Sequence, residues 1–465
     1  MDIVPQKTLN ALPSSLVKLR GTLHTQFLRR GGLIALSSFS TGLRTVIAVT
    51  VVASGFGAQA VTAYGVAASI YGVGLVLCAG YTILVVNRLA MSKKRNAPDD
   101  QLAEPLGDIF RLVVASTILL CVVVPALGVV AVFVLPLSTS LFVAAYATLS
   151  ISFVSLPFSQ SMMGVQQIRG QEFLNLRNSL ENLGLFIALA ALDRLLIGDA
   201  VVALVVLGVG GALIDFWSVR RRYVRLGVFR PLVKEQLLRG LKLFQEHPLS
   251  SLLSAPKATT GALDGVVLAS TFMLVAQVST VAGPFVSSLT VVGITTLRTI
   301  IVPLKGFGTV GGRLTKVESA TLHEQPTHFR NIVLTMYAFA IPVGAIFLFV
   351  PTGIMWVLQL PVAPESFFLV RMMGVQILLE PVTGVASSML KIVRKPGAVL
   401  LPLIFTMWGL VIPISLILVW TSALTIQSIW FTLLGARVLF FVIVVATVVV
   451  WARHAKEPLT QPAPA

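Results

Sequence analysis

Charge is scarce in this chain, and acid scarcest of all. Of 465 residues only 11% are charged, with 18 Asp or Glu set against 35 Lys or Arg. A soluble domain of this size does not form with so little charge, and no stretch is long and polar enough to make one by itself. Cysteine is limited to Cys78 and Cys121, both inside apolar stretches, which excludes a disulfide framework and marks them as small core residues. The five histidines, His24, His247, His323, His328 and His454, fall in loops or tails without the spacing a metal needs, so no metal site is expected. Residues 1–30 contain no apolar run of signal-peptide type, and no cleaved targeting segment is expected. No His/Asp pair suggests catalysis. GFGTVGG at 306–312 lacks the Lys-Ser/Thr that follows in a phosphate-binding loop, so neither an enzyme nor an ATP-driven pump is expected.

What the chain does have is apolar length. It is 56% hydrophobic, with a mean hydropathy of +0.91. Runs long enough to cross a bilayer recur along nearly all of it, at 31–53, 58–86, 108–135, 140–168, 178–196, 200–219, 252–274, 276–302, 330–351, 366–390, 398–420 and 427–451. This predicts an all-α membrane protein of twelve transmembrane helices. The net charge of +17 points to a membrane and not to nucleic acid, because the cations gather in alternate loops. They include Arg88, Lys93, Lys94 and Arg95 after span 2, Arg169 and Arg177 after span 4, and Arg220, Arg221, Arg222 and Arg225 after span 6. Lys305, Arg313 and Lys316 follow span 8, and Lys391, Arg394 and Lys395 follow span 10. The opposite loops hold Arg194 and little else. The positive-inside asymmetry puts both termini in the cytoplasm.

The longest connection, 220–251, divides six spans from six. The organisation read from it is a basic N-terminal segment (1–30), a first six-helix lobe (31–219), a cytoplasmic linker (220–251), a second lobe (252–451) and a tail (452–465). Within the linker Val233, Leu237, Leu241 and Phe244 fall at helical spacing opposite Lys234, Glu235, Arg239 and Lys242, which predicts an amphipathic helix lying on the membrane surface. The halves carry an internal repeat: Ala58, Gln59, Thr62, Gly65 and Ser69 match Ala276, Gln277, Thr280, Gly283 and Ser287 in order and spacing. Two repeats of equal orientation imply an axis along the membrane normal and a central cavity between the lobes.

Ionisable groups at membrane depth cost about 2.5–3.5 kcal/mol on insertion scales and usually face a protein-lined cavity. Glu380 precedes Pro381, whose missing N–H frees the Ile377 carbonyl beside the acid. Asp264 follows Pro256 in another span. Two buried acids on two Pro-interrupted helices suit cation-coupled transport. Arg44 and Arg437 are equally deep, and an ion pair such as Glu380 with Arg437 is the structural alternative. Glu181, Lys257, Arg298 and Arg371 lie nearer the span ends, within snorkelling reach. Thr259, Thr260, Gln277, Thr280 and Gln376 are candidates to complete an oxygen cage around a cation, while Thr41, Ser287 and Arg298 join Arg44 and Arg437 as candidate substrate-cavity residues.

At the level of motifs, GFGAQAVTAYGVAASIYGVG (55–74), AQVSTVAGPFVSSLTVVG (276–293), IRGQEFLNLRNSLENLG (168–184) and SSMLKIVRKPG (387–397) resemble the multidrug and toxic compound extrusion (MATE) transporters, within the superfamily that also holds lipid-linked oligosaccharide flippases. The resemblance implies two six-helix lobes and export of an amphipathic organic substrate by alternating access, driven by H⁺ or Na⁺, with no resident cofactor. In the sodium-coupled branch the second-lobe acids stand on spans 7 and 10, where Asp264 and Glu380 fall here. The proton-coupled bacterial branch relies on an acid in span 1, where this chain has Arg44. That departure opens a second reading, a flippase for an anionic lipid-linked precursor of polyprenyl-phosphate type, with Arg44 and Arg298 on the phosphate. The expected setting is a monomer in the inner (plasma) membrane, its partners membrane lipid and either a small amphipathic substrate or the lipid-linked precursor.

Overall fold

The computed structural model describes residues 14–94, 99–318, 325–393 and 397–454. Arg95, His323, Arg394, Lys395, the first 13 residues of the basic segment and the tail from 455 lie outside it. The described chain is helical, in the arrangement of two six-helix lobes. Among the described residues, nine stretches are long and apolar enough to cross a membrane, and the bent pair Thr139–Val154 and Leu156–Ile168 forms a tenth. Two more spans complete the set. One lies within Phe27–Val86, which is two spans hinged at Gly57. The other is Glu172–Leu196, whose first turns carry too much charge for an apolar window.

Spans 1 and 2 thus occupy Ser14–Lys94, span 3 Asp99–Val134, span 4 the bent pair, span 5 Glu172–Leu196 and span 6 Ala200–Val224. A linker helix, Arg230–Glu246, leads to span 7, which is broken: Pro248–Ala258, a 3₁₀ turn at Thr260–Ala262, then Leu263–Ser279. Span 8 is Pro284–Glu318 and span 9 Gln325–Phe349. Span 10 runs Pro364–Glu380, a π-helical turn at Pro381–Ala386, and Ser387–Val393. Span 11 (Gly397–Thr406 to Ile412–Trp420) also contains a π turn, at Met407–Val411, and span 12 is Ile426–His454.

Two features correct the sequence reading. The structural counterpart of Gly57 is Gly283. Both stand at the reversal between consecutive spans with positive φ, 78° and 98°, a conformation in which any side chain is strained. The repeat matched by residue type therefore sets the start of span 2 against the end of span 7, out of register. The linker helix packs one face on protein. Val233, Gln236 and Gly240 are its buried stripe, and Gly240 packs so closely on span 3 that a Cβ there would come within 2.7 Å of Phe110 Cβ. Leu241, expected on the apolar face, is exposed. The helix docks into a cluster built from Leu106, Ile109, Phe110 and Val113.

The lobes meet along spans 1, 2, 7 and 8. On the face opposite the N-terminus, Thr62 Oγ1 donates to the Pro284 carbonyl at 3.3 Å, and Gly65 leaves room for Val291. On the N-terminal face, Phe307 of span 8 packs over Gly31, its ring centroid 5.7 Å from that of Phe27. The lobes thus touch at both ends of their interface.

Candidate ion and substrate sites

The breaks in spans 7 and 10 aim their acids into one cavity. Asp264 sits in the first turn of Leu263–Ser279, where the helix N-terminus favours a carboxylate. Glu380 is the last residue before the π turn. That turn accommodates Pro381 without a sharp break, and Thr383 Oγ1 donates to the Leu379 carbonyl at 3.1 Å. Gly384 makes the fold-back of Glu380 possible, since a Cβ there would lie 1.7 Å from Glu380 Oε1. The cavity lies wholly within the second lobe. Asp264, Lys305, Glu380, Thr383, Ser387 and Arg437 form its polar wall, and Leu268, Leu403, Met407 and Phe440 contribute to its apolar one.

Each acid has a basic partner. Lys391 Nζ bridges Asp264 Oδ1 at 2.6 Å and the Gly261 carbonyl at 2.8 Å, so it also satisfies an acceptor freed by the break in span 7. Glu380, 1% exposed, is ion-paired with Arg437, 3% exposed, whose guanidinium also donates to Thr383 Oγ1 at 2.8 Å and Gln376 Oε1 at 3.3 Å. The second carboxylate oxygen, Glu380 Oε1, is buried without a hydrogen bond. Lys305 stands close enough to act electrostatically on both acids. The Glu380–Arg437 pair was one of the alternatives open from sequence. Lys305 and Lys391 were missed, having been counted as loop cations although both are half-buried in helices.

The other predicted residues are scattered. Gln277, Thr280 and Ser287 stand at the junction of spans 7 and 8, away from the cavity. Thr280 Oγ1 donates to the Gln277 carbonyl at 2.6 Å, and Ser287 accepts from Ser279 at 3.3 Å. Thr259 Oγ1 donates to the Pro256 carbonyl, and Thr260 is exposed. None of the five lines the acid cavity; the hydroxyls that do are Thr383 and Ser387. Thr41 is exposed and donates to the Ser37 carbonyl. Lys257 and Arg371 are exposed, and Glu181 does not snorkel but pairs with Arg177, Arg221 and Arg225.

Arg44 is not a free cavity cation. It pairs with Asp215 of span 6 at 2.7 Å, donates to the Gly211 carbonyl at 3.3 Å and lies 5.1 Å from the Phe186 ring centroid. Asp215 was absent from the sequence-based set of deep charges, although it stands well inside span 6. Arg298 differs. It is half-buried on span 8 against Gly72 of span 2, where a Cβ would lie 2.3 Å from its guanidinium, and among the described residues it has no hydrogen-bond or ion-pair partner.

Comparison with known proteins bears on the fold. No protein-family model matches the sequence, and no curated protein matches it. Solved structures match over nearly the whole chain. A structure described as an inward-facing conformation of a multidrug resistance MATE family transporter of the MOP superfamily superposes with a TM-score of 0.70 at 15% identity, covering 92% of this chain and 100% of that one. A eukaryotic MATE transporter gives 0.68 at 13% identity, covering 94% and 98%. A MOP superfamily transporter from Pyrococcus furiosus, described as having a binding pocket of reverse polarity that suggests a different function, gives 0.65 at 15%, covering 93% and 96%. The chain therefore has the fold of these MATE transporters.

Proposed function

We propose that this protein is a secondary active exporter of MATE type, moving an amphipathic organic substrate out of the cytoplasm by alternating access and driven by an H⁺ or Na⁺ gradient. The observation that carries this reading is the second-lobe cavity, in which Asp264 and Glu380 face one another's surroundings from two interrupted helices. Buried acids at membrane depth are costly and are retained where they handle ions. In this reading Lys391 and Arg437 act as internal counter-ions that hold the acids when the cavity is empty of transported cation. A proton or Na⁺ arriving at Asp264 or Glu380 weakens its hold on the basic partner, and release of Lys391 from Gly261 and Asp264 loosens the break in span 7. The solved relatives support alternating access, since inward-facing and outward-facing forms of a MATE transporter share this fold. The same reading puts the chain in the inner membrane as a monomer, both termini cytoplasmic, with no resident cofactor.

The test is efflux from everted vesicles under imposed H⁺ and Na⁺ gradients. Asp264→Asn and Glu380→Gln are expected to remove gradient-driven transport while the protein remains folded in the membrane. Full efflux in both variants would refute the assignment.

A second reading has an observation of its own. Arg298 is a cation at the lobe interface without a carboxylate, and the Pyrococcus relative is described by a pocket of reversed polarity. Arg298 would engage the phosphate of a lipid-linked precursor of polyprenyl-phosphate type. Arg44, paired with Asp215, is the weaker candidate for that role. Scrambling of a polyprenyl-phosphate analogue that disappears in Arg298→Gln would favour the flippase; scrambling indifferent to that change, or none, would count against it.

A further inference from the structure

The N-terminal-face ends of spans 4, 5 and 6 hold a concentration of charge that the transport reading does not use. Span 6 ends in Arg220, Arg221, Arg222 and Arg225. Arg222 is 5% exposed, and its partners are neutral amide oxygens, Gln166 Oε1 at 3.2 Å and Asn175 Oδ1 at 2.5 Å. Among the described residues it has no carboxylate in ion-pair reach, whereas buried cations are ordinarily paired. Glu181 is shared by Arg177, Arg221 and Arg225, so one carboxylate serves three guanidiniums and none is left for Arg222. The polar atoms left without partners point the same way. Arg222 Nε, Arg221 Nε, Gln166 Nε2, Asn175 Nδ2 and Asn178 Nδ2 are all buried N–H donors, against one orphan acceptor, Gln171 Oε1, on the turn before span 5. Excess positive charge and excess donors together describe a site built for an anion.

We propose that the ends of spans 4, 5 and 6 form a binding site for a phosphate-bearing anion, centred on Arg222 and rimmed by Arg221 and Arg225. Guanidinium forks match phosphate oxygens in geometry as well as charge. The depth suits a headgroup: Arg221 lies 3.9 Å over the ring of Trp217, itself 46% exposed, and tryptophan concentrates at the membrane–water boundary. A lipid headgroup phosphate and a free phosphate compound share this chemistry. Occupancy would be felt beyond the site, because Asn175, Gln166 and Arg222 tie three spans together. Ser179, beside Asn178, also shares a 2.7 Å hydrogen bond with Ser37 of span 1.

The experiment is thermal unfolding of the delipidated full chain in neutral detergent, titrated separately with inorganic phosphate and with phosphatidylglycerol. Chloride at matched ionic strength and phosphatidylcholine are the respective controls. A saturable rise of at least about 2 °C is expected from one or both anions. A response to phosphatidylglycerol alone identifies a headgroup site, and a response to phosphate as well identifies a site open to free phosphate compounds. Asn175→Asp supplies Arg222 with an internal carboxylate, so it is expected to raise the midpoint without ligand and to abolish the anion response. Arg222→Met is expected to abolish the response as well. No response in the native chain, an undiminished response in Asn175→Asp, or a lowered ligand-free midpoint in that variant would overturn the proposal.

Discussion

Glu380 and Arg437 are each almost without solvent contact, so neither charge survives alone at low cost. Removing one partner of such a pair leaves the other buried and uncompensated, a loss of about 3–5 kcal/mol, while removing both is far milder. Glu380→Gln and Arg437→Gln are thus expected to destabilise singly and to be strongly non-additive together, as unfolding in detergent would reveal; simple additivity would mean that the charges do not depend on each other. Gly384→Ala should act on the same acid without altering any charge, because the new Cβ occupies the position of Glu380 Oε1. Its expected signature is lost gradient coupling with the protein still inserted. Both acids were legible in the sequence as rare charges in apolar runs. Lys391 and Lys305 were not, for a physical reason: a helix that outruns the bilayer carries its last turns, and their cations, past the apolar window. A charge assigned to a loop by hydropathy can then still reach back into the lobe.

At the scale of the element, proline placement announced interrupted helices but not their form. Pro256 precedes a true break at Thr260–Ala262, where Lys391 donates to the Gly261 carbonyl, whereas Pro381 is absorbed in a π turn, where Thr383 donates to the Leu379 carbonyl. The linker helix was legible as amphipathic, but its partner was not, since a stripe of apolar residues fits lipid and protein alike. Gly240 marks the face that meets protein, because only a residue without a side chain permits the approach to Phe110 and the Arg111 backbone. Gly240→Leu is expected to lift the helix from span 3 and expose 230–246 to protease in otherwise intact protein. Unchanged protection would show that the contact is dispensable.

For the molecule as a whole, span number and the division into halves were readable from composition, while the register of the repeat was not. Small residues recur wherever helices pack closely, so matches of Ala, Gly and Ser arise without structural equivalence; the backbone reversals at Gly57 and Gly283 fix the true correspondence. Alternating access requires the two ends of the lobe interface to open in turn. In a cysteine-free background, joining Gly65→Cys to Val291→Cys at one end, or Gly31→Cys to Phe307→Cys at the other, is expected to stop transport until the link is reduced. Transport through a fully linked interface would contradict two moving lobes. The central claim, an ion gradient spent through the second-lobe acids, is tested most directly with purified protein in liposomes containing a pH-sensitive dye. Cationic and anionic amphiphiles would be screened for substrate-dependent dissipation of an imposed proton gradient, and of a sodium gradient read with a sodium indicator. The account predicts a coupled signal that vanishes in Glu380→Gln and Asp264→Asn; no coupling with any substrate, or an equal signal in both variants, would contradict it.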